Sequence, residues 1–441
     1  MKYKNEIIGI GKLAWPILSS YAFTTVFEIL DEAIIAHYST DGFALAGIAA
    51  SIIYSITGAL GILSAAFNIT AAKSNGKNDK KEFERLFAAG KLLAVLIGFV
   101  FAAVGFIFGR IFFENIYGFK GEELRQILSY FYPALITIVQ NMILFQYSVY
   151  FRNRLNTKTG LCATLVSTAI NLFFDYALVY GKFGLPALGI SGAAWGSVIG
   201  LSFGLLIYQT EYLRHAGIKS ALKTLFEKSE LTKNAKKILR LYPSLLGQEF
   251  MEDTVFVLMV TFAVSKMEME QIAVYNLLDI VLGAMALPSY AYAAAAQTFA
   301  LQNHSAGKSA AVQRYLKAGI YSGTAAVAAL CFCFFLFKET AFGLIISDKA
   351  VINEANNYLL PLFAIALEKV PYQIYLNFFQ GIGREKYVFV CTAFGAVITG
   401  AFVILLGKFM GLTGVYISMF AEYFIIRHIY AKKSTIQTEL S

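Results

Sequence analysis

The stretch LAWPILSSYAFTTVFEILDEAIIAHY, residues 13–38, decides how the chain is read. It is long enough, at about 20 residues per crossing, to span a bilayer as one helix. It also holds three carboxylates within six residues: Glu28, Asp31 and Glu32. A carboxylate at membrane depth costs at least about 2.5 kcal/mol, so such acids are seldom there without a purpose.

Composition extends this reading to the whole chain. Of 441 residues, 58% are hydrophobic and 15% charged. Soluble domains sit near about 45–50% and 25%. The chain reads as an integral membrane protein. Its basic N-terminus, Met1 to Lys12, is followed by no small-residue cleavage site, which predicts a retained first helix. The net charge of +9 is scattered over loops and does not point to nucleic acid. Cys162, Cys331, Cys333 and Cys391 lie in apolar runs and are expected to be small buried hydrophobes, with no metal-ligand spacing.

Apolar runs fall at 13–38, 44–72, 86–109, 126–151, 159–181, 190–212, 241–265, 271–301, 315–337, 356–380, 387–407 and 412–431. Lysine and arginine test the count, because cytoplasmic loops carry the excess. With the N-terminus inside, 28 of the 37 basic residues fall in cytoplasmic segments and 8 in external ones, and Lys369 is left at membrane depth. Lys91 and Arg427 are counted here as cytoplasmic. The split predicts twelve transmembrane helices with both termini cytoplasmic. Residues 213–240 are polar and basic, and read as a solvated cytoplasmic linker between an N-lobe, 1–212, and a C-lobe, 241–441.

The lobes repeat. Pro16 matches Pro243, and Gly76-Lys77 matches Gly307-Lys308. Tyr130–Pro133 matches Tyr358–Pro361, and Gly189–Gly192 matches Gly411–Gly414. Six helices per repeat leave both lobes in the same orientation. The expected fold is therefore an all-α integral membrane protein, with two pseudo-symmetric six-helix bundles around a central cleft.

Depth sorts the acids. At about 1.5 Å per residue, Asp31 lies roughly 27 Å along its helix, and Asn171 and Asp175 roughly 16 and 22 Å along theirs. Asn171 and Asp175 are four apart and share a face. Two carboxylates and a carboxamide at compatible depth suit a cation, either H+ or Na+, although a satisfied structural network is the plain alternative. Glu28 shares the face of Asp31, and Glu32 is expected at the rim. The C-lobe has its own polar cluster of Glu252, Asp253, Asp279, Glu368 and Lys369, in which Lys369 is expected to pair with an acid of the seventh helix or with Asp279. Phe27, Tyr147, Met251 and Met285 are candidate cleft-lining residues for apolar organic cations. No GxSxG or HExxH occurs, and Gly307-Lys308-Ser309 lacks the rest of a phosphate loop, so no enzyme is expected.

Asn171-Leu172-Phe173-Phe174-Asp175, followed by Gly184-Leu185-Pro186-Ala187-Leu188-Gly189-Ile190-Ser191-Gly192, resembles the multidrug and toxic-compound extrusion (MATE) family. So do Pro16 with Asp31, and Phe378-Phe379-Gln380-Gly381-Ile382-Gly383-Arg384. The resemblance implies secondary antiport: export of small cationic amphiphiles driven by H+, with Na+ as the alternative ion and no cofactor. It implies coupling residues at Asp31, Asn171 and Asp175, with Ser197 as the accompanying hydroxyl. Asp31 is also the residue where ion and substrate compete. Glu368-Lys369 departs from the branch that carries an aspartate here, which favours a proton-coupled, DinF-like branch. The setting implied is a bacterial or archaeal inner membrane, with lipids around a monomer. The alternative function is a flippase for a lipid-linked saccharide of the same superfamily.

Overall fold

The structure is a computed structural model, and it describes residues 3–76, 79–154, 156–217, 227–250, 254–305, 307–382 and 384–439. The opening stretch lies in α1 (Lys4–Tyr38), one helix with Pro16 inside it. α2 (Thr40–Gly61) and α3 (Leu63–Gly76) follow with a single residue between them. α4 (Lys80–Ile111) starts on an Asp79 cap that accepts from the Glu82 amide at 3.0 Å, satisfying a donor the first turn leaves open. It closes in a π-helical turn, Phe112–Tyr117, that ends on left-handed Gly118. α5 (Gly121–Asn153), α6 (Thr157–Tyr180) and α7 (Ile190–Ala216) complete the first half.

α8 (Lys228–Leu239) belongs to the expected linker, of which 218–226 lie outside the described residues. It is not merely solvated. Its Asn234 is fully buried, and Arg85 of α4 bonds Glu227 at 2.6 Å and Glu230 at 3.5 Å. The linker helix is thus tied to α4. The second half runs α9 (Tyr242–Glu249), α10 (Val255–Val264), α11 (Met269–Ser305), α12 (Ser309–Ile345), α13 (Lys349–Asn356), α14 (Leu359–Gly381), α15 (Glu385–Met410) and α16 (Leu412–Glu439).

Among the described residues each of the twelve apolar runs falls mainly on helix. Among the described residues nine spans are long and apolar enough to cross a bilayer. The three that fall short have physical reasons. The first run holds the carboxylate stretch, the seventh is divided between α9 and α10, and the twelfth carries Glu422, Arg427 and His428. Charge and hydropathy compete for the same helices.

The repeat is visible in the coordinates. Shifted by 228 residues, the bounds of α5, 121 and 153, fall on 349 and 381, the outer bounds of α13 and α14 together. One long helix in the first half is two in the second. The same shift carries the first residue of α6, 157, onto 385, where α15 begins. Gly189 and Gly411 hold matching backbones, φ 59° with ψ −141° and φ 59° with ψ −144°, before the last helix of each half. That left-handed geometry favours glycine at both junctions.

The chain forms two compact units. One joins Met1–Ala44 to Met259–Ser441, and the other is Leu45–Leu258. In the first, α1 packs on α11 and α12, and α14 lies against α11, α12 and α16. Asn276 donates to the carbonyls of Phe43 and Ala44 at 3.2 and 3.0 Å. In the second, α7 packs on α5 and α6, and α4 on α3, α5 and α8. Phe87, Tyr147, Tyr150 and Tyr212 form an aromatic core there, with ring centroids 4.3–6.1 Å apart.

The cysteine expectation holds for buried Cys331. Cys162 and Cys333 are instead exposed, on outward faces of apolar helices where burial is not required.

Candidate functional site

The best-defined polar site lies where α6 meets α7. Asn171 and Asp175 sit one turn apart on α6, and the Asn171 amide donates to Asp175 Oδ2 at 2.6 Å. The same amide donates to Ser197 Oγ of α7 at 3.3 Å. Asp175 is fully buried, and Asn171 and Ser197 are half-buried. Three of the four expected coupling residues therefore come together.

What brings them together is a stripe the sequence reading missed. Gly192, Gly196, Gly200 and Gly204 recur every fourth residue along α7, so they line one face. A Cβ on Gly196 would meet Asp175 Oδ1 at 1.8 Å and the Asp175 amide nitrogen at 2.8 Å. One on Gly200 would meet Asn171 Cβ at 2.6 Å, and one on Gly192 the Leu178 carbonyl oxygen at 2.8 Å. Small residues let two helix backbones approach closely inside a membrane. Here the approach places a carboxylate against a bare backbone, where a side chain would otherwise stand. The four-residue glycine spacing was the available signal. Carboxylate, carboxamide and hydroxyl oxygens together suit a proton or a small hard cation.

Asp31 lies on α1, in the other compact unit, half-buried together with Phe27 and Glu32. The side chain of Glu28 lies outside the described residues, as do Met251, Glu252 and Asp253.

The second-half cluster is rearranged from expectation. Lys369 of α14 has its ammonium over the rings of Tyr290 on α11 and Tyr423 on α16, at 5.1 and 5.8 Å. Asp279 on α11 and Glu422 on α16 are the acids near it, but among the described residues neither forms the expected ion pair. Asp279 was expected, whereas Glu422 was hidden inside an apolar run. Glu368 turns to Arg427 of α16, at 3.0 Å. Arg427, counted as cytoplasmic, is therefore a paired, half-buried helical residue.

Of the expected cleft-lining residues, Met285 is buried against Cys331, with sulfurs 3.9 Å apart. Tyr147 is buried too, and its hydroxyl bonds Lys91 and Gln209. Lys91, counted as cytoplasmic, stands eleven residues into α4.

A multi-pass, all-helical membrane protein with a doubled architecture and a buried carboxylate site has the build of a secondary transporter. The MatE family model matches residues 16–177 and 248–406. The chain belongs to the MATE family, whose members are transporters and not enzymes. A probable multidrug resistance protein NorM of Thermotoga maritima is 25% identical over 209 residues, 46% of this chain and 44% of that protein. Multidrug resistance protein NorM of Vibrio cholerae is 28% identical, over 45% of this chain and 43% of that one. The matched part is thus less than half the length of either relative. A solved multidrug resistance MATE transporter of the MOP superfamily, in an inward-facing conformation, shares the fold with TM-score 0.83 at 15% identity. That likeness covers 96% of this chain and 98% of the other.

Proposed function

We propose that the protein is a multidrug efflux antiporter, exporting cationic amphiphilic organic compounds in exchange for H+. The observation that carries this reading is the Asn171–Asp175–Ser197 site, buried against the glycine stripe of α7. A carboxylate held in low dielectric binds a proton readily, because burial disfavours the charged form. Proton release and uptake at such a site can then be linked to opposite faces of the membrane. Asp31 is the second coupling residue and the point where drug and proton compete. Na+ is the alternative ion, since the same oxygen set suits it. The lobes are 1–212 and 241–441, joined through 213–240, with both termini in the cytoplasm of a cell whose inner membrane holds the protein as a monomer. The NorM relatives carry names of multidrug resistance proteins, which supports the substrate class.

The test is transport by purified protein in liposomes under ΔpH alone and ΔNa+ alone. Uptake of an organic cation driven by ΔpH and lost in Asp175→Asn is the expected result. Uptake driven by ΔNa+ alone refutes proton coupling. Translocation of a lipid-linked saccharide with no organic-cation transport replaces the antiporter with the flippase.

A further inference from the structure

A groove on the Leu45–Leu258 unit is unused by this mechanism. It has a volume of about 520 Å³ and is lined by residues of α4, α5 and α7. Its walls are apolar: Leu92, Val95, Ile143, Leu205 and Leu206. Leu206 is 57% exposed, and Leu92 and Val95 also stand open. Farther along α4, Leu96, Phe99 and Val100 continue the same apolar exposure. On a spanning helix such a face is a lipid face.

The floor is cationic. Lys91 stands over the rings of Phe87, Tyr147 and Tyr212 at 5.5, 5.1 and 5.0 Å, and donates to Tyr147 Oη at 3.1 Å. Glu84, the acid whose charge reaches it, is itself bonded by Arg154 at 2.6 Å and by the Tyr150 hydroxyl at 2.8 Å. Among the described residues no carboxylate forms an ion pair with Lys91. The groove thus presents one ammonium with no ion-pair partner among the described residues, between largely apolar walls that also hold Ser202 and Gln209.

Depth matches a lipid phosphate. The span Lys80–Tyr117 has 38 residues, about 57 Å at 1.5 Å per residue, against a hydrocarbon core of about 30 Å. A centred span leaves about 13 Å at each end, and Lys91 lies about 17 Å from Lys80. Its ammonium therefore sits near the boundary between headgroups and acyl chains.

We propose that this groove binds one anionic phospholipid, with Lys91 meeting the phosphate and Leu92, Val95 and Leu206 holding the upper acyl chain. Basic pockets between membrane helices recognise anionic headgroups in this way. The aromatic rings below Lys91 fix its position without neutralising it, so the charge remains available to the lipid. The inference is independent of the coupling site and of the transported substrate.

The test is native mass spectrometry of the full chain in neutral detergent, titrated with phosphatidylglycerol or phosphatidylcholine. The wild type is expected to retain one phosphatidylglycerol in preference to phosphatidylcholine. Lys91→Met is expected to weaken that retention about fivefold, the equivalent of about 1 kcal/mol per lysine near a charged lipid surface. Leu206→Trp fills the groove, keeps the charge, and is expected to weaken retention as well. If Lys91→Met does not fold, Leu206→Trp decides alone. Equal retention of both lipids, or unchanged retention in both variants, overturns the proposal. Displacement by inorganic phosphate overturns it in favour of a free-anion site, and displacement by a transported organic cation in favour of a station on the transport route.

Discussion

Gly196→Ala is the most direct probe of the helix contact that builds the carboxylate site. The new methyl would stand 1.8 Å from Asp175 Oδ1 and 2.8 Å from the Asp175 amide nitrogen. The carboxylate can swing away, but doing so gives up its 2.6 Å bond to Asn171. The amide nitrogen cannot swing. To restore ordinary contact at 3.4 Å, α6 must retreat by about 0.6 Å. Overpacking of this kind costs about 1–3 kcal/mol, and loss of a hydrogen bond to a charged group about 1.5–3 kcal/mol. The two share a cause and do not add fully, so about 3 kcal/mol is expected. Gly204→Ala is the control on the same stripe. Its methyl meets Ser167 Cβ at 3.2 Å and Oγ at 3.4 Å, and the Ala163 carbonyl oxygen at an ordinary 3.5 Å. Alanine is also the better helix former by about 0.5–1 kcal/mol, so this variant should be near neutral. The assay is the unfolding midpoint of each purified variant, alongside ΔpH-driven transport in liposomes. Gly196→Ala should lose both stability and transport while Gly204→Ala keeps both. Equal behaviour of the two, in either direction, refutes the argument that close approach at Asp175 builds the site.

Three further outcomes follow from the same geometry. Ser197→Ala removes a 3.3 Å partner of Asn171 and should weaken coupled transport mildly, by about 0.5–1.5 kcal/mol, whereas Asn171→Leu should abolish it in the liposome assay. Asp31→Asn should leave the protein folded by circular dichroism yet remove drug resistance and pH-dependent efflux in cells, and wild-type efflux from it would sink the competition mechanism. Glu368→Gln should destabilise the protein by leaving Arg427 half-buried without its acid, and Glu368→Leu with Arg427→Met should recover most of that loss on thermal unfolding.

The positions of the helices were legible without coordinates, since among the described residues all twelve apolar runs fall mainly on helix. Hydropathy works here because a bilayer forces backbone groups to pair within a segment. The repeat was legible as well, because offsets along the chain survive folding: the ends of α5 map onto those of α13 and α14. The Asn171–Asp175 pair was readable for the same local reason, being one helical turn apart. What the linear reading could not assign was the fate of charges near helix ends. Lys91 and Arg427 were counted only as cytoplasmic charges, and the sequence did not say that one stands on an aromatic floor and the other pairs with Glu368. Glu422 was invisible inside an apolar run. Its role depends on Lys369, which α14 brings near it.

Sequence alone therefore determined the membrane class, the order of the apolar helical segments, the doubling, and the local pair on α6. Tertiary structure alone decided which helix faces touch: the glycine stripe of α7 against Asp175, the rings around Lys369, and the docking of α8 on α4. The physical reason is one of range. Hydropathy and helical period act within a segment, whereas the rotation of one helix against another is set by packing between residues far apart in the chain.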